Sequence, residues 1–297
     1  MAEAVPALLQ SCRRPGVLPD TLCTEAARLP PGDQGAARRF FTSWFRSDNS
    51  ETGLITGYYE PELTGSLSRS ATARFPLYRP PPDRTRYDRA AIDAGALAGR
   101  GLELLWLDDP VDAFFLHVQG AGRVVLRDGS VVRVGYAGDN GRAYVPIGRL
   151  LVQRGAIPRD QVSMQAIRAW LTRDTARGAA LMRENPRYIF FRRIEGVPAQ
   201  GGPVGAMGVP LTPGRSIAVD TRTVPLGSVL WLETTDPIDG SPIRRIVLAQ
   251  DRGAAITGAG RADLFWGWGA EAGRRAGAMQ AQGRLTLLQP SPPPPGS

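Results

Sequence analysis

The spacing of hydrophobic positions divides the chain into segments of different period. Ala36, Ala37, Phe40, Phe41, Trp44 and Phe45 recur at i, i+1, i+4 and i+5, the face of an amphipathic helix, and residues 1–50 read as helical. Leu54–Tyr59 then reads as a strand, stopped by Glu60-Pro61. The proline run at 79–83 predicts a loop or domain crossing. Ala113–Val118 is an apolar run expected as a buried strand. After it, two short β-type runs flank Asp128-Gly129, a hairpin signal. Between Gln161 and Glu184 the period turns helical, with Met164, Ile167, Trp170 and Leu171 on one face and Asn185-Pro186 as the stop. Gln200–Gly205 is the candidate linker. Beyond it, strands are expected at Ser216–Val219, Val229–Glu233, Arg244–Ala249 and Arg284–Gln289, with a hairpin at Asp239-Gly240. That pattern suggests a small β-barrel, followed by a disordered proline-rich tail over 290–297. No internal repeat interrupts it.

Composition narrows the chemistry more than the fold. The 297 residues hold 36 basic side chains, all Arg, against 28 acidic ones, for a net charge of +8. Without Lys there is no Schiff base, no lysine general base and no Walker A loop. A single His, His117, excludes a three-His zinc site, and two Cys cannot build a four-Cys metal site. Acid–base work therefore falls to carboxylates, or to His117. Apolar content of 42% is ordinary for a globular protein, and 35 Gly with 26 Pro favour turns and short strands. The charge suits polyanionic partners, but arginines scattered along the whole chain argue against nucleic acid. No apolar run reaches the length of a membrane-spanning helix. Leu9–Cys12 faintly resembles a lipoprotein cleavage box, and a helix before a cysteine is the favoured reading. Cys12 and Cys23 are close enough in sequence for a disulfide, which needs an oxidising compartment; two free thiols are the alternative.

The densest candidate constellation runs from Asp251 to Trp268. Two aspartates, Asp251 and Asp263, stand on either side of a Gly-rich turn, and Trp266 and Trp268 offer flat faces to sugar rings. Paired carboxylates, one with a raised pKa, are the usual equipment for cleaving a glycosidic bond. The competing reading makes the aspartates turn caps and the tryptophans core. His117, in an apolar run, is better read as a core residue than as a catalyst. Gln119 beside it could face a groove. Tyr58 and Tyr59 alternate across a strand, so one can stack on a ligand while the other packs. Glu60 is the main rival carboxylate.

Eight strings, in order, become specific at this point: Thr56–Pro61, His117–Gly122, Tyr136–Gly141, Ser163–Arg168, Asn185–Phe191, Ala218–Asp220 with Val224–Gly227, Gln250–Ile256 and Arg261–Gly267. Together they resemble the membrane-bound lytic murein transglycosylase A family, whose C-terminal part is the 3D domain, named for three aspartates. The resemblance covers about Phe40 to Leu288. It implies a mainly β fold with some helices: a discontinuous double-psi β-barrel over 1–63 and 206–289, a β-rich domain inserted over 64–205, and a glycan groove between them. The three aspartates correspond to Asp220, Asp251 and Asp263. The last is expected to be the catalytic acid and base, Asp251 its support and Asp220 structural. Substrate contacts are expected at Thr56, Tyr58, Glu60, Gln119, Trp266 and Trp268.

The implied reaction is that of a peptidoglycan lytic exotransglycosylase, a carbon–oxygen lyase. It cleaves the β-1,4 bond between N-acetylmuramic acid and N-acetylglucosamine without water and leaves a 1,6-anhydro ring. No metal and no cofactor is implied, and the expected partner of a monomeric protein is the glycan strand. The location implied is the periplasm with peripheral or lipid-anchored attachment to the outer membrane, although the family's signal and anchoring cysteine are not recognisable. An all-Arg groove suits the lactyl and peptide carboxylates of murein. Two other readings stay open: an inverting hydrolase using Asp251 and Asp263, and a wall-binding module without catalysis.

Overall fold

A computed structural model describes residues 1–197, 201–253 and 256–291. Chain contacts divide it into two units, Met1–Glu60 with Gln200–Ser297, and Pro61–Ala199. The expected linker begins, and the proline-rich tail largely falls, outside the described residues.

The first unit opens with three helices, α1 (Val5–Cys12), α2 (Asp20–Ala27) and α3 (Gln34–Trp44). Cys12 and Cys23 join α1 to α2 by a disulfide. Strand β1 (Phe45–Glu60) follows at once. Helix was expected to residue 50, but Arg46–Gly53 is polar, carries no helical stripe and pairs antiparallel with the last strand of the chain. Partners distant in sequence thus decide what local pattern leaves undecided.

The second unit contains β2 (Glu62–Ser66), β3 (Phe75–Tyr78), α4 (Arg89–Asp93), β4 (Glu103–Leu107), α5 (Pro110–Gln119), β5 (Ala121–Leu126) and β6 (Val131–Asp139). Helices α6 (Ile147–Gln153), α7 (Met164–Arg173) and α8 (Thr175–Arg183) and strand β7 (Ile189–Ile194) complete it. Its six strands form one sheet in the order β3-β4-β2-β5-β6-β7. Two expectations are corrected here. Ala113–Val118 is helix, not strand: Asp109 accepts from the Val111 and Asp112 amides, Pro110 takes the first turn, and Gly120 at φ 81° ends it. The single helix expected over 161–184 is two, because the Asp174 carboxylate accepts from the Ala176 and Arg177 amides and starts α8 anew. The Asp128-Gly129 turn does join β5 to β6.

After residue 200 the chain returns to the first unit with β8 (Ser216–Val219), β9 (Val229–Thr235), β10 (Pro242–Arg252), β11 (Ala262–Trp268), α9 (Gly269–Ala278) and β12 (Gln280–Pro290). These strands and β1 close a six-stranded barrel in the order β1-β11-β8-β10-β9-β12. Two pairs, β1–β11 and β8–β10, are parallel among antiparallel neighbours, and the barrel is of the double-psi kind. Ile55, Ile217, Val219, Leu230, Val247, Leu264 and Leu285 fill its interior. The outward Val229, Ile246 and Leu248 are buried too, because α1–α3 pack over them. Strand β1 keeps a glycine, Gly57, where a Cβ would lie 2.7 Å from the Trp266 indole and 2.9 Å from the Ala276 backbone. Gly57→Ala is therefore expected to cost about 1–3 kcal/mol, read as a lowered midpoint in urea or thermal melts.

Candidate active site

On the barrel face not covered by α1–α3, strand register sets four residues side by side. Asp251 on β10 pairs with Ala218 on β8, Ala218 with Asp263 on β11, and Asp263 with Thr56 on β1. Two strand spacings put the Asp251 and Asp263 backbones about 10 Å apart, with only the methyl group of Ala218 between them. Asp251 reaches this row through a bulge. Val247 and Ala249 point into the barrel, and strict alternation would send residue 251 inward as well. The pairing with β8 skips Gln250, which turns its amide to the Ala7 carbonyl and the Ser11 hydroxyl. The skipped residue reverses the parity and presents Asp251 outward.

The two carboxylates have different surroundings. Asp251 accepts three hydrogen bonds: Oδ1 from the amides of Ala206 and Arg252, each at 2.9 Å, and Oδ2 from the Tyr58 hydroxyl at 3.0 Å. Among the described residues Asp263 accepts one, through Oδ1, from the Thr56 hydroxyl at 2.7 Å. Burial pushes the Asp263 carboxyl above the usual aspartate range. The Thr56 hydrogen bond and then the Arg261 charge pull it back in part, and the Asp251 charge adds to the rise. Tyr58 packs its ring against Phe265, with centroids 5.3 Å apart. Burial first, and Asp251 second, hold its phenol well above the usual tyrosine range, so it remains a donor at any working pH.

Arg261 fixes the direction of this network. Its Nη2 donates to Thr56 Oγ1 at 2.9 Å and its Nη1 to the Leu54 carbonyl at 3.2 Å. A hydroxyl has one proton, so a Thr56 oxygen that accepts from Arg261 must aim that proton at Asp263 Oδ1. The acidic proton of Asp263 then belongs on Oδ2. The sequence reading gave Arg261 no role. Its one available signal was alternation: two places before Asp263, on the same side of the chain.

Asp220 stands apart from the row, just after β8. It accepts from Nε and Nη2 of Arg222 at 2.9 and 2.8 Å and from the Gly258 amide at 2.8 Å. These contacts hold its carboxyl well below the usual range and tie down the segment leading into β11. Ala254 and Ala255 of the Gly-rich turn lie outside the described residues. Trp266 does not join the carboxylates. Its ring packs on the barrel core, its Nε1–H points to the Met279 sulfur at 3.1 Å, and the Arg275 guanidinium lies 5.2 Å from its centre. Glu60 is buried at the end of β1, in register with the half-buried Trp268. Gln119 is exposed at the last position of α5, in the other unit. His117 is on the same helix and buried.

Known proteins resemble this chain. A profile described as the MltA specific insert domain matches residues 54–192, and one described as the 3D domain matches 215–289. A membrane-bound lytic murein transglycosylase A of Escherichia coli strain K12 is 37% identical over 254 residues, 83% of this chain and 68% of that protein. The chain belongs to the membrane-bound lytic murein transglycosylase A family. The lytic transglycosylase LtgG of Burkholderia pseudomallei superposes with a TM-score of 0.79 at 46% identity, covering 97% of this chain and 89% of that one. E. coli MltA with bound chitohexaose gives 0.77 at 31% identity, covering 98% and 90%. Among the described residues, no group of three or more His, Cys, Asp or Glu could hold a metal ion.

Proposed function

We propose that this protein is a lytic transglycosylase of peptidoglycan, in which Asp263 alone acts as acid and then as base. It cleaves the β-1,4 bond between N-acetylmuramic acid and N-acetylglucosamine and leaves 1,6-anhydromuramoyl ends. The observation that carries the mechanism is the contrast between the two carboxylates. Asp263 is partly desolvated with its pKa raised, and its Oδ2 has no donor among the described residues, whereas both oxygens of Asp251 already accept hydrogen bonds.

Protonated Asp263 donates from Oδ2 to the glycosidic oxygen, and the bond to C1 of the muramoyl residue breaks. The carboxylate left behind is stabilised by the Thr56 hydrogen bond. It then takes the proton of the muramoyl C6 hydroxyl as that oxygen bonds to C1, so the carboxyl group is restored and no water is consumed. An internal hydroxyl held by the same sugar has a high effective concentration, which makes a second catalytic carboxylate unnecessary. Asp251 supports the step by its charge, which favours the protonated form of Asp263. Tyr58 and Trp268 are assigned to the glycan, and Asp220 to holding the loop. The chitohexaose bound to a relative supports a glycan as substrate.

An inverting hydrolase would need Asp251 as a base for water, and three donors already occupy that carboxylate. Mass spectrometry of products from purified sacculi separates the readings. The expected fragments are lighter by one water than reducing-end muropeptides; a reducing-end sugar as the main product sinks the lyase reading.

We place the protein in the cell envelope, at the periplasmic face of the outer membrane. The name membrane-bound carried by its relatives and the Cys12–Cys23 disulfide support this. Among the described residues no helix is long and apolar enough to cross a membrane.

A further inference from the structure

The unit Pro61–Ala199 holds a cavity of about 440 Å³, a size typical of small-molecule sites. Two of its lining side chains are almost fully buried, Arg89 at 3% and His117 at 5% exposure. The Arg89 guanidinium donates through Nε to the Asn185 carbonyl at 3.0 Å and through Nη2 to the Arg187 carbonyl at 2.8 Å. It lies 4.9 Å from the centre of the Phe114 ring and 5.2 Å from that of Tyr188. Among the described residues Nη1 has no acceptor, and no carboxylate forms an ion pair with this cation. Asp93, one helical turn further along, lines the same cavity and acts on Arg89 by its charge, but makes no ion pair with it and faces Arg183 at 3.9 Å. Burying a cation with no carboxylate in contact is costly, and a more distant charge or an aromatic ring compensates only in part.

His117 supplies a second donor without a partner. Its Nδ1 accepts the Ile189 amide at 3.2 Å, so the neutral ring carries its proton on Nε2. That N–H has no acceptor among the described residues. The ring is clamped by Tyr188, with centroids 4.1 Å apart. Three further cations line the cavity, Arg69 over Trp106, Arg74 over Phe75 and Arg183, against one carboxylate, Asp93. The cavity is therefore rich in positive charge and N–H donors, with aromatic walls around them.

We propose that this cavity binds a carboxylate carried on a small apolar stem, with Arg89 Nη1 and His117 Nε2–H as its donors and Phe114 and Tyr188 as the wall around the stem. Two donors match the two oxygens of a carboxylate, and the remaining volume with its aromatic lining would be wasted on a bare inorganic anion. The C-terminus of a peptide and an alkanoate share this chemistry. The site is independent of the reaction at Asp263 and is tested by binding, not by turnover.

Isothermal titration of the intact protein with N-acetylalanylalanine, its C-terminal amide, hexanoate and inorganic phosphate tests the proposal. At least one of the two organic acids is expected to bind, and removing the charge in the amide weakens binding about tenfold or more, as expected for a lost charge-assisted hydrogen bond. Tighter binding of the peptide acid identifies a peptide terminus as the ligand; tighter binding of hexanoate identifies an acyl chain. Ala179→Phe, which fills the cavity from α8 without removing a hydrogen bond, is expected to lower affinity tenfold while leaving murein cleavage unchanged. Arg89→Gln should do the same to affinity, provided circular dichroism shows it folded. The idea is overturned if the peptide acid binds and its amide binds as tightly, if phosphate binds tightest, or if neither acid binds at about 10 mM. Unchanged affinity in a folded Ala179→Phe protein overturns it as well.

Discussion

Asp263→Asn is expected to lower the release of soluble fragments from sacculi by at least about 10³-fold, near the upper part of the range for a single general acid–base group. Here one side chain serves both proton transfers, and the amide can perform neither. The variant should keep the fold. The pKa of Asp263 is raised in the native protein, mainly by burial, so its contribution to stability is full below the unfolded-state pKa and is lost as pH rises through the folded one. At any pH where the group ionises in the unfolded chain its raised folded pKa is thus a stability cost, and the neutral amide removes it. A thermal midpoint equal to or above that of the parent at pH 7–8, with activity gone, identifies a catalyst. Parent-like release of fragments would end the assignment of Asp263.

The second large effect concerns the pH profile. Protonated Asp263 is the active form, so activity falls on the alkaline side as pH rises through its folded pKa. The Asp251 charge raises that pKa and the Thr56 hydrogen bond lowers it. Asp251→Asn should therefore move the alkaline limb to lower pH, and Thr56→Val should move it to higher pH. Asp251→Asn also puts an amide NH2 or a weaker acceptor before the Tyr58 hydroxyl and two backbone amides, so a fall in kcat of about 10²-fold is expected as well. Arg261→Gln should follow Thr56→Val in direction, because the freed hydroxyl no longer has to point at Asp263 and the Arg261 charge is gone. Profiles of kcat/KM from pH 4 to 9 decide the matter. Limbs that stay in place in all three variants would mean that the observed ionisation is not that of Asp263.

Much of the fold was legible where the signal is local. Ser216–Val219 is a strand as expected, and the Asp128-Gly129 and Asp239-Gly240 turns lie between paired strands. The misreadings arose where a local pattern had two solutions. Ala113–Val118 is apolar enough for either strand or helix, and the Asp109-Pro110 start outside the run tips it to helix. Strand β11 and helix α9 were masked by the Gly- and Trp-rich composition of 262–278. That composition shows no strand or helix period, and the pairing of β11 with β1 and β8 decides it.

By itself the sequence determined the class of chemistry. With no Lys, one His and two Cys, acid–base work fell to carboxylates or to His117, and the resemblance of ordered motifs singled out Asp251 and Asp263 among 28 acidic residues. What only the tertiary structure decided is how those two differ. The bulge at Gln250 turns Asp251 outward, β8 holds the two aspartates apart across Ala218, and Arg261 and Thr56 aim a proton at one oxygen of Asp263. The reason is physical: residue types set which groups can ionise. Strand register and burial set which of them is desolvated and which is satisfied, and both depend on partners as much as two hundred residues away.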